Sequence, residues 1–182
     1  MEPAIGLIEL NSIAKGMETT DAMLKVAGVE LVEAHSICPG KYFVLVTGQL
    51  ADVESSVDRG LSIAGDMVVD HLIIPNVSPQ VAPAITGTTD IEDIDALGII
   101  ETFSIASCIV SADASAKAAD IKLIEIRLAM ALGGKAYVTM TGEVGAVKAA
   151  VNAGCDTIKE DGILISRIVI PKVHKGMRKT VL

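Results

Sequence analysis

The sequence predicts an α/β protein of the α+β kind, in which two tandem copies of one small domain each form a four-stranded antiparallel sheet with helices on one face. Three observations predict it. The opening segment Ala4-Ile5-Gly6-Leu7-Ile8-Glu9 recurs as Ala96-Leu97-Gly98-Ile99-Ile100-Glu101. Shifted by 92 positions, 13 of the 35 residues in 4–38 are repeated, among them Ser12/Ser104, Asp21/Asp113, Lys25/Lys117 and Glu33/Glu125. Each copy also sets short apolar runs against longer amphipathic ones between Gly and Pro breaks. That order reads β-α-β-β-α-β, the split βαβ arrangement.

The elements follow in chain order. Residues 4–10 form an apolar strand. A helix of about a dozen residues comes next, with Asp21 and Lys25 at the i,i+4 spacing that puts them on one face. Gly28 breaks it, and residues 29–36 form a second strand. The tight loop Ile37-Cys38-Pro39-Gly40 leads into a third strand at 41–48. A helix over 50–64 then precedes a fourth strand at 67–74, which Pro75 ends because proline has no N–H to donate.

The repeat continues through Gly40-Lys41/Gly134-Lys135, Gly48/Gly142, Gly60/Gly154 and Ile74-Pro75/Ile170-Pro171. The offset grows from 92 to 94 to 96, so the second copy carries two short insertions. Two copies of this size make a tandem domain and not a solenoid. The expected boundaries are residues 1–75 and 96–171. Between them lies a linker, 76–95, whose prolines and Asp90, Glu92, Asp93 and Asp95 suit a solvated connection. A basic tail, 172–182, is expected to be solvated or packed on a sheet edge.

Composition narrows the function classes. The chain is 51% hydrophobic with a mean hydropathy of +0.53, yet no run of apolar residues reaches membrane-spanning length. Apolar surplus without a span points to subunit faces buried against other subunits. Aromatics are 2% and the net charge is −8, which leaves no base-stacking platform and repels a phosphate backbone. Neither nucleic acid nor membrane is an expected partner. Met1-Glu2-Pro3 lacks the basic start of a secretory signal, so a cytosolic protein is expected.

The reactive residues are few. Cys38, Cys108 and Cys155 form no CxxC, which argues against a disulfide framework and gives no metal motif within one chain. Cys108 and Cys155 fall in predicted helices and read as buried packing. The Gly-Lys pairs are not phosphate-binding loops: a P-loop needs Gly five positions earlier and Ser or Thr next, where His35, Tyr42, Ala129 and Ala136 stand. Glu9 and Glu101 are acids in apolar strands, and their repetition favours a structural role near the strand ends. No enzymatic constellation appears, and the chain is expected not to be an enzyme.

These residues resemble the bacterial microcompartment shell domain. That family opens with Ala-x-Gly-x-Ile-Glu, has an Asp-x-x-x-Lys helix, a pore loop before Gly-Lys, and a last strand ending in Ile-Pro. Here the motifs are Ala4 to Glu9, Asp21 to Lys25, Gly40-Lys41, Ala51-Asp52-Val53 and Ile74-Pro75, repeated at Ala96 to Glu101, Asp113 to Lys117, Gly134-Lys135, Gly142 to Val147 and Ile170-Pro171. The arginine usual after Ile-Pro is Asn76 in the first copy and Lys172 in the second. That departure weakens any edge contact at this position.

The resemblance implies a pseudohexameric homotrimer, a tile of the microcompartment shell in the cytoplasm, with other shell proteins and enclosed redox enzymes as partners. It implies a pore lined by Ile37, Cys38, Pro39 and Gly40 of one copy and Met130, Ala131, Leu132 and Gly133 of the other. Lys25 and Lys117 become tile-edge contacts, beside the plain alternative of helix-surface pairs with Asp21 and Asp113. In a propanediol-utilisation subgroup the loop cysteine lies on the three-fold axis, which implies one 4Fe-4S cluster per trimer on three Cys38 thiolates, for electron transfer across the shell. Two other readings stay open: a shell tile with a cluster-free metabolite pore, and a soluble ligand-binding regulatory trimer.

Overall fold

A computed structural model describes residues 3–129, 132–159 and 163–181. The chain divides into two compact units, Met1–Val77 and Ser78–Leu182. In the first, β1 (Ala4–Leu10), α1 (Ile13–Val26), β2 (Glu30–Ile37), β3 (Lys41–Gly48), α2 (Leu50–Ala64) and β4 (Val68–Ile74) follow one another. The sheet order is β2-β3-β1-β4, antiparallel throughout. The split βαβ expected from the sequence is therefore the fold.

Local chemistry accounts for the boundaries. Ser12 caps α1, its hydroxyl accepting from the Lys15 N–H at 3.3 Å, and so satisfies one of the free donors of the first turn. β1 is buried along its whole length because it is the middle of the sheet and covered on both faces. Ile8 and Leu10 of β1 join Met23, Val44, Val46, Val53 and Val57 in the core between sheet and helices.

The second unit repeats the plan. It comprises α3 (Val81–Thr86), β5 (Ala96–Thr102), α4 (Ile105–Ala118), β6 (Lys122–Leu128), β7 (Ala136–Gly142), α5 (Val144–Thr157), β8 (Leu164–Ile170) and the short α6 (Arg178–Val181). Its sheet order is β6-β7-β5-β8. Even the irregularities match, with register shifts at Glu9/Leu10 and Glu101/Thr102 and at Leu31/Glu33 and Leu123/Glu125. Ser104 caps α4 as Ser12 caps α1.

The stretch 76–95 departs from the solvated connection expected of it. Val77, Val81, Ala84 and Ile94 are buried, and the stretch carries α3. The Gln80 carboxamide donates to the Ile121 carbonyl at 3.1 Å and accepts from the Leu123 N–H at 2.9 Å. The Thr89 hydroxyl donates to the Ile124 carbonyl at 2.7 Å. These groups satisfy backbone that edge strand β6 would otherwise present to water. The prolines and carboxylates dominated the composition and masked a few well-placed apolar side chains. The tail behaves as an edge-packing segment: Val173 is buried with Ile94, Leu97 and Ile124.

Candidate functional site: the hairpin tip that carries Cys38

β2 and β3 form a hairpin in which Ile37 pairs with Lys41, leaving Cys38-Pro39-Gly40 as a three-residue turn. Short loops of this size need a residue with positive φ, and Gly40 supplies it at +74°. The Cys38–Pro39 peptide is cis. Ile37 is buried, Cys38 is half-buried, and Pro39 and Gly40 are exposed. The thiol therefore sits where the chain emerges from the sheet.

The base of the hairpin is held by a charge pair. Lys41 Nζ donates to Glu9 Oε1 at 2.7 Å, with the Glu9 side chain 5% and the Lys41 side chain 29% exposed. The second unit repeats it as Lys135 to Glu101 at 3.0 Å, more exposed at 42% and 31%. The structural role expected for both glutamates is this: each anchors the residue that follows the loop to the central strand. The sequence held the signal, because Glu9/Glu101 and Lys41/Lys135 recur together, but the partnership itself was missed. Removing one partner of a mostly buried pair strands the other charge. Glu9→Gln is therefore expected to cost about 2 kcal/mol and Glu101→Gln, in its wetter setting, about 0.5 kcal/mol. Urea unfolding at one protein concentration measures both, and equal losses would contradict the burial argument.

Beside the pair lies a second repeated set. His35 Nε2 is 3.0 Å from Glu33 Oε1, and the ring meets Phe43 edge-on at 4.7 Å. At the matching places Arg127 bonds Glu125, and the Tyr137 hydroxyl donates to Glu125 Oε2 at 2.9 Å. The Glu125 bond and charge strengthen the Arg127 cation. Burial, then the Glu125 carboxylate, pushes the Tyr137 phenol up.

The second hairpin is two residues longer. Leu128 pairs with Ala136, Ala129 is buried with φ +51°, and Lys135 N–H closes a turn onto the Leu132 carbonyl at 3.2 Å. Gly133 is exposed; Met130 and Ala131, also expected to line a pore, lie outside the described residues. The other two cysteines are packing groups, as expected. Cys108 is fully buried in α4, and burial raises its thiol to about 12 against a weaker opposing hydrogen bond with Thr102. Cys155 is buried in α5 and its thiol is also raised, chiefly by desolvation. Lys25 bonds Asp21 at 2.6 Å and Lys117 bonds Asp113 at 2.6 Å. Among the described residues no group of three His, Cys, Asp or Glu side chains could hold a metal within one chain.

The BMC domain family matches this chain twice, over residues 4–77 and 96–173. The chain belongs to the BMC domain family. A BMC relative, the bacterial microcompartment shell protein PduT of Citrobacter freundii, is 44% identical over 97% of this chain and 96% of its own length. The crystal structure of a microcompartment protein from Desulfitobacterium hafniense DCB superposes with a TM-score of 0.95 at 50% identity, covering 98% of this chain and 99% of that one. A fused permuted hexameric shell protein from the RMM microcompartment shares the fold at a TM-score of 0.65 and 20% identity, covering 87% of this chain and 84% of that one. With two BMC domains in one chain, this is a tandem-domain shell protein of a bacterial microcompartment. Among the described residues no helix is long and apolar enough to cross a membrane.

Proposed function

We propose that three copies close around a three-fold axis into a six-domain tile, and that the three Cys38 thiolates at its centre hold one 4Fe-4S cluster for electron transfer across the shell. The observation that carries this reading is the placement of Cys38. It is the half-buried cysteine, at the tip of a short hairpin whose base is pinned by Glu9 and Lys41, while Cys108 and Cys155 are buried in helices. Such clusters are held by thiolates, and one chain offers a single usable one. A three-fold axis multiplies it to three, because closed symmetry repeats any residue near the axis once per subunit.

The donor set fits the group. Three thiolates fall one short of the usual four, so the fourth iron would be open to water or a small ligand. Gly40 has open space around its α-carbon, so the turn is not crowded on that side. When bound, the cluster would supply a site that takes up and releases one electron. The protein's own contribution is to present the thiols at a fixed depth through the hairpin and to line the channel with Ile37, Pro39, Gly40, Leu132 and Gly133. Catalysis has no part in this reading. Other shell proteins would abut the tile, with enclosed redox enzymes as the electron partners.

Of the two edge lysines, Lys25 is the better placed for a neighbouring tile. Lys25 and Asp21 are both largely exposed, at 73% and 63%, so their ion pair is weak and easily exchanged. Asp113 is 9% exposed and also accepts the Ser78 N–H at 2.7 Å, which holds Lys117 to its own helix.

Anaerobic purification tests the cluster. The expected result is a brown trimer with about four irons and four sulfides per three chains, and a colourless, iron-free trimer for Cys38→Ala. A trimeric wild type that stays free of iron after anaerobic reconstitution would leave a thiol-lined pore instead. A particle that is not trimeric would sink the tile.

A further inference from the structure

In the second unit the edge of β6 is covered by residues 78–90, through the Gln80 carboxamide and the Thr89 hydroxyl. The matching edge in the first unit, β2, is more exposed. Leu31 is 47% exposed where its counterpart Leu123 is 1% exposed. Val29 and Val32 are half-buried where Ile121 and Ile124 are buried. The same surface is built twice and sealed once.

The sealing segment is also present twice. Val77 N–H donates to Pro3 O at 3.0 Å as the chain leaves β4, and Val173 N–H donates to Asp95 O at 3.2 Å as it leaves β8. From there Val77, Val81, Ala84 and Ile85 correspond to Val173, Met177, Thr180 and Val181, so α6 stands in the chain where α3 does. Val81 is fully buried, but Met177 is 42% exposed. Charge changes on both sides at once. Lys122 on β6 becomes Glu30 on β2, while the uncharged Asn76, Ser78 and Pro79 become Lys172, His174 and Lys175 in the tail. An exposed apolar edge beside a glutamate thus has a counterpart in a basic segment whose Met177 is exposed, while its Val173 and Val181 pack on their own domain.

We propose that residues 172–181 of one copy cover the β2 edge of the next copy, as residues 78–90 cover β6 within the chain, so that the tail is the seam that closes the ring. This rests on the trimeric closure proposed above and says which surfaces make it. An exposed strand edge invites pairing with another chain, and a segment of opposite charge delivered from a neighbouring copy covers that edge.

A crosslinking experiment separates the seam from the ring. In a Cys38→Ala background, Leu31→Cys and Gly176→Cys are combined, Gly176 standing where Gln80 does, and the protein is treated with a short dimaleimide. The expected result on a denaturing gel is conversion of most of the chain to covalent dimers and trimers, with each variant that carries only one of the two added cysteines remaining monomeric, since Cys108 and Cys155 are buried. A particle that is trimeric in solution yet runs as monomer after the reagent overturns the seam and leaves the ring standing. A particle that is not trimeric before the reagent overturns both. Leu31→Asp adds an independent reading: the substituted side chain is already half exposed in the single chain, so the domain keeps its circular dichroism. The expected shift is from trimer toward monomer by size exclusion, and an unshifted trimer counts against the seam.

Discussion

Gly16→Cys destabilises the first domain by about 3 kcal/mol, although it installs the residue that the second domain carries at the matching place. A Cβ built on Gly16 comes within 2.4 Å of Tyr42 Cδ1, 2.5 Å of Cγ and 2.6 Å of Cβ, and Tyr42 is itself 6% exposed. The second domain solves the same contact differently. Register places Tyr42 opposite Leu10 and Ala136 opposite Thr102, so Ala136 is the counterpart of Tyr42, and Cys108 is the counterpart of Gly16. The bulk has moved from strand to helix. Adding Tyr42→Ala to Gly16→Cys is therefore expected to recover about half of the loss, whereas Tyr42→Ala alone costs about 3 kcal/mol for the cavity it leaves. Recovery stays partial because the β-carbon of residue 42 remains, and α1 has to move outward to admit a second one. Denaturant unfolding of all four proteins at one concentration measures the coupling. If the double variant loses as much as the two single changes together, the two positions do not compensate and the reading of the pair is wrong.

That exchange shows what a sequence can and cannot disclose here. The repeat was legible because hydrophobic periodicity, capping serines and chain breakers recur at a nearly constant offset, and these fix the elements locally. Strand and helix limits came within a residue or so, since Pro75 and Gly28 punctuate by covalent geometry. Pairwise packing was less visible. Gly16 and Cys108 look like unrelated residues until strand register brings Tyr42 and Ala136 opposite them. Glu9 and Lys41 are 32 residues apart, and only the antiparallel pairing of β1 with β3 makes them neighbours. The stretch 76–95 was misjudged for a related reason. Composition averages over a segment, whereas the packing of that segment depends on Val81, Ala84, Ile94 and one glutamine amide. Cys38 stood out through the resemblance of its loop to the microcompartment shell family, and the fold adds that its exposure differs from that of the other two cysteines.

That difference has a consequence in alkali. Burial holds the Cys108 thiol protonated up to about 12, against a value of 9.0 for a free thiol. Below about pH 9 the thiol is neutral whether the chain is folded or not, so its burial carries no penalty linked to pH. Above that value the unfolded chain sheds the proton and the folded one cannot, so stability falls as pH rises, until the folded thiol itself ionises near 12. The slope for one such group is about 1.4 kcal/mol per pH unit. Cys108→Ala is expected to be less stable than wild type at neutral pH by a constant packing loss, but to lose less on going from about pH 8 to about pH 10, narrowing the gap by about 1 kcal/mol. Denaturant midpoints along that series decide it. Parallel curves would mean that Cys108 reaches solvent and titrates normally in the folded chain, and the contrast between the buried Cys108 and the half-buried Cys38 would be lost. Converging curves would fix the role of Cys108 as packing: it keeps its proton because its buried place in α4 admits only a neutral group.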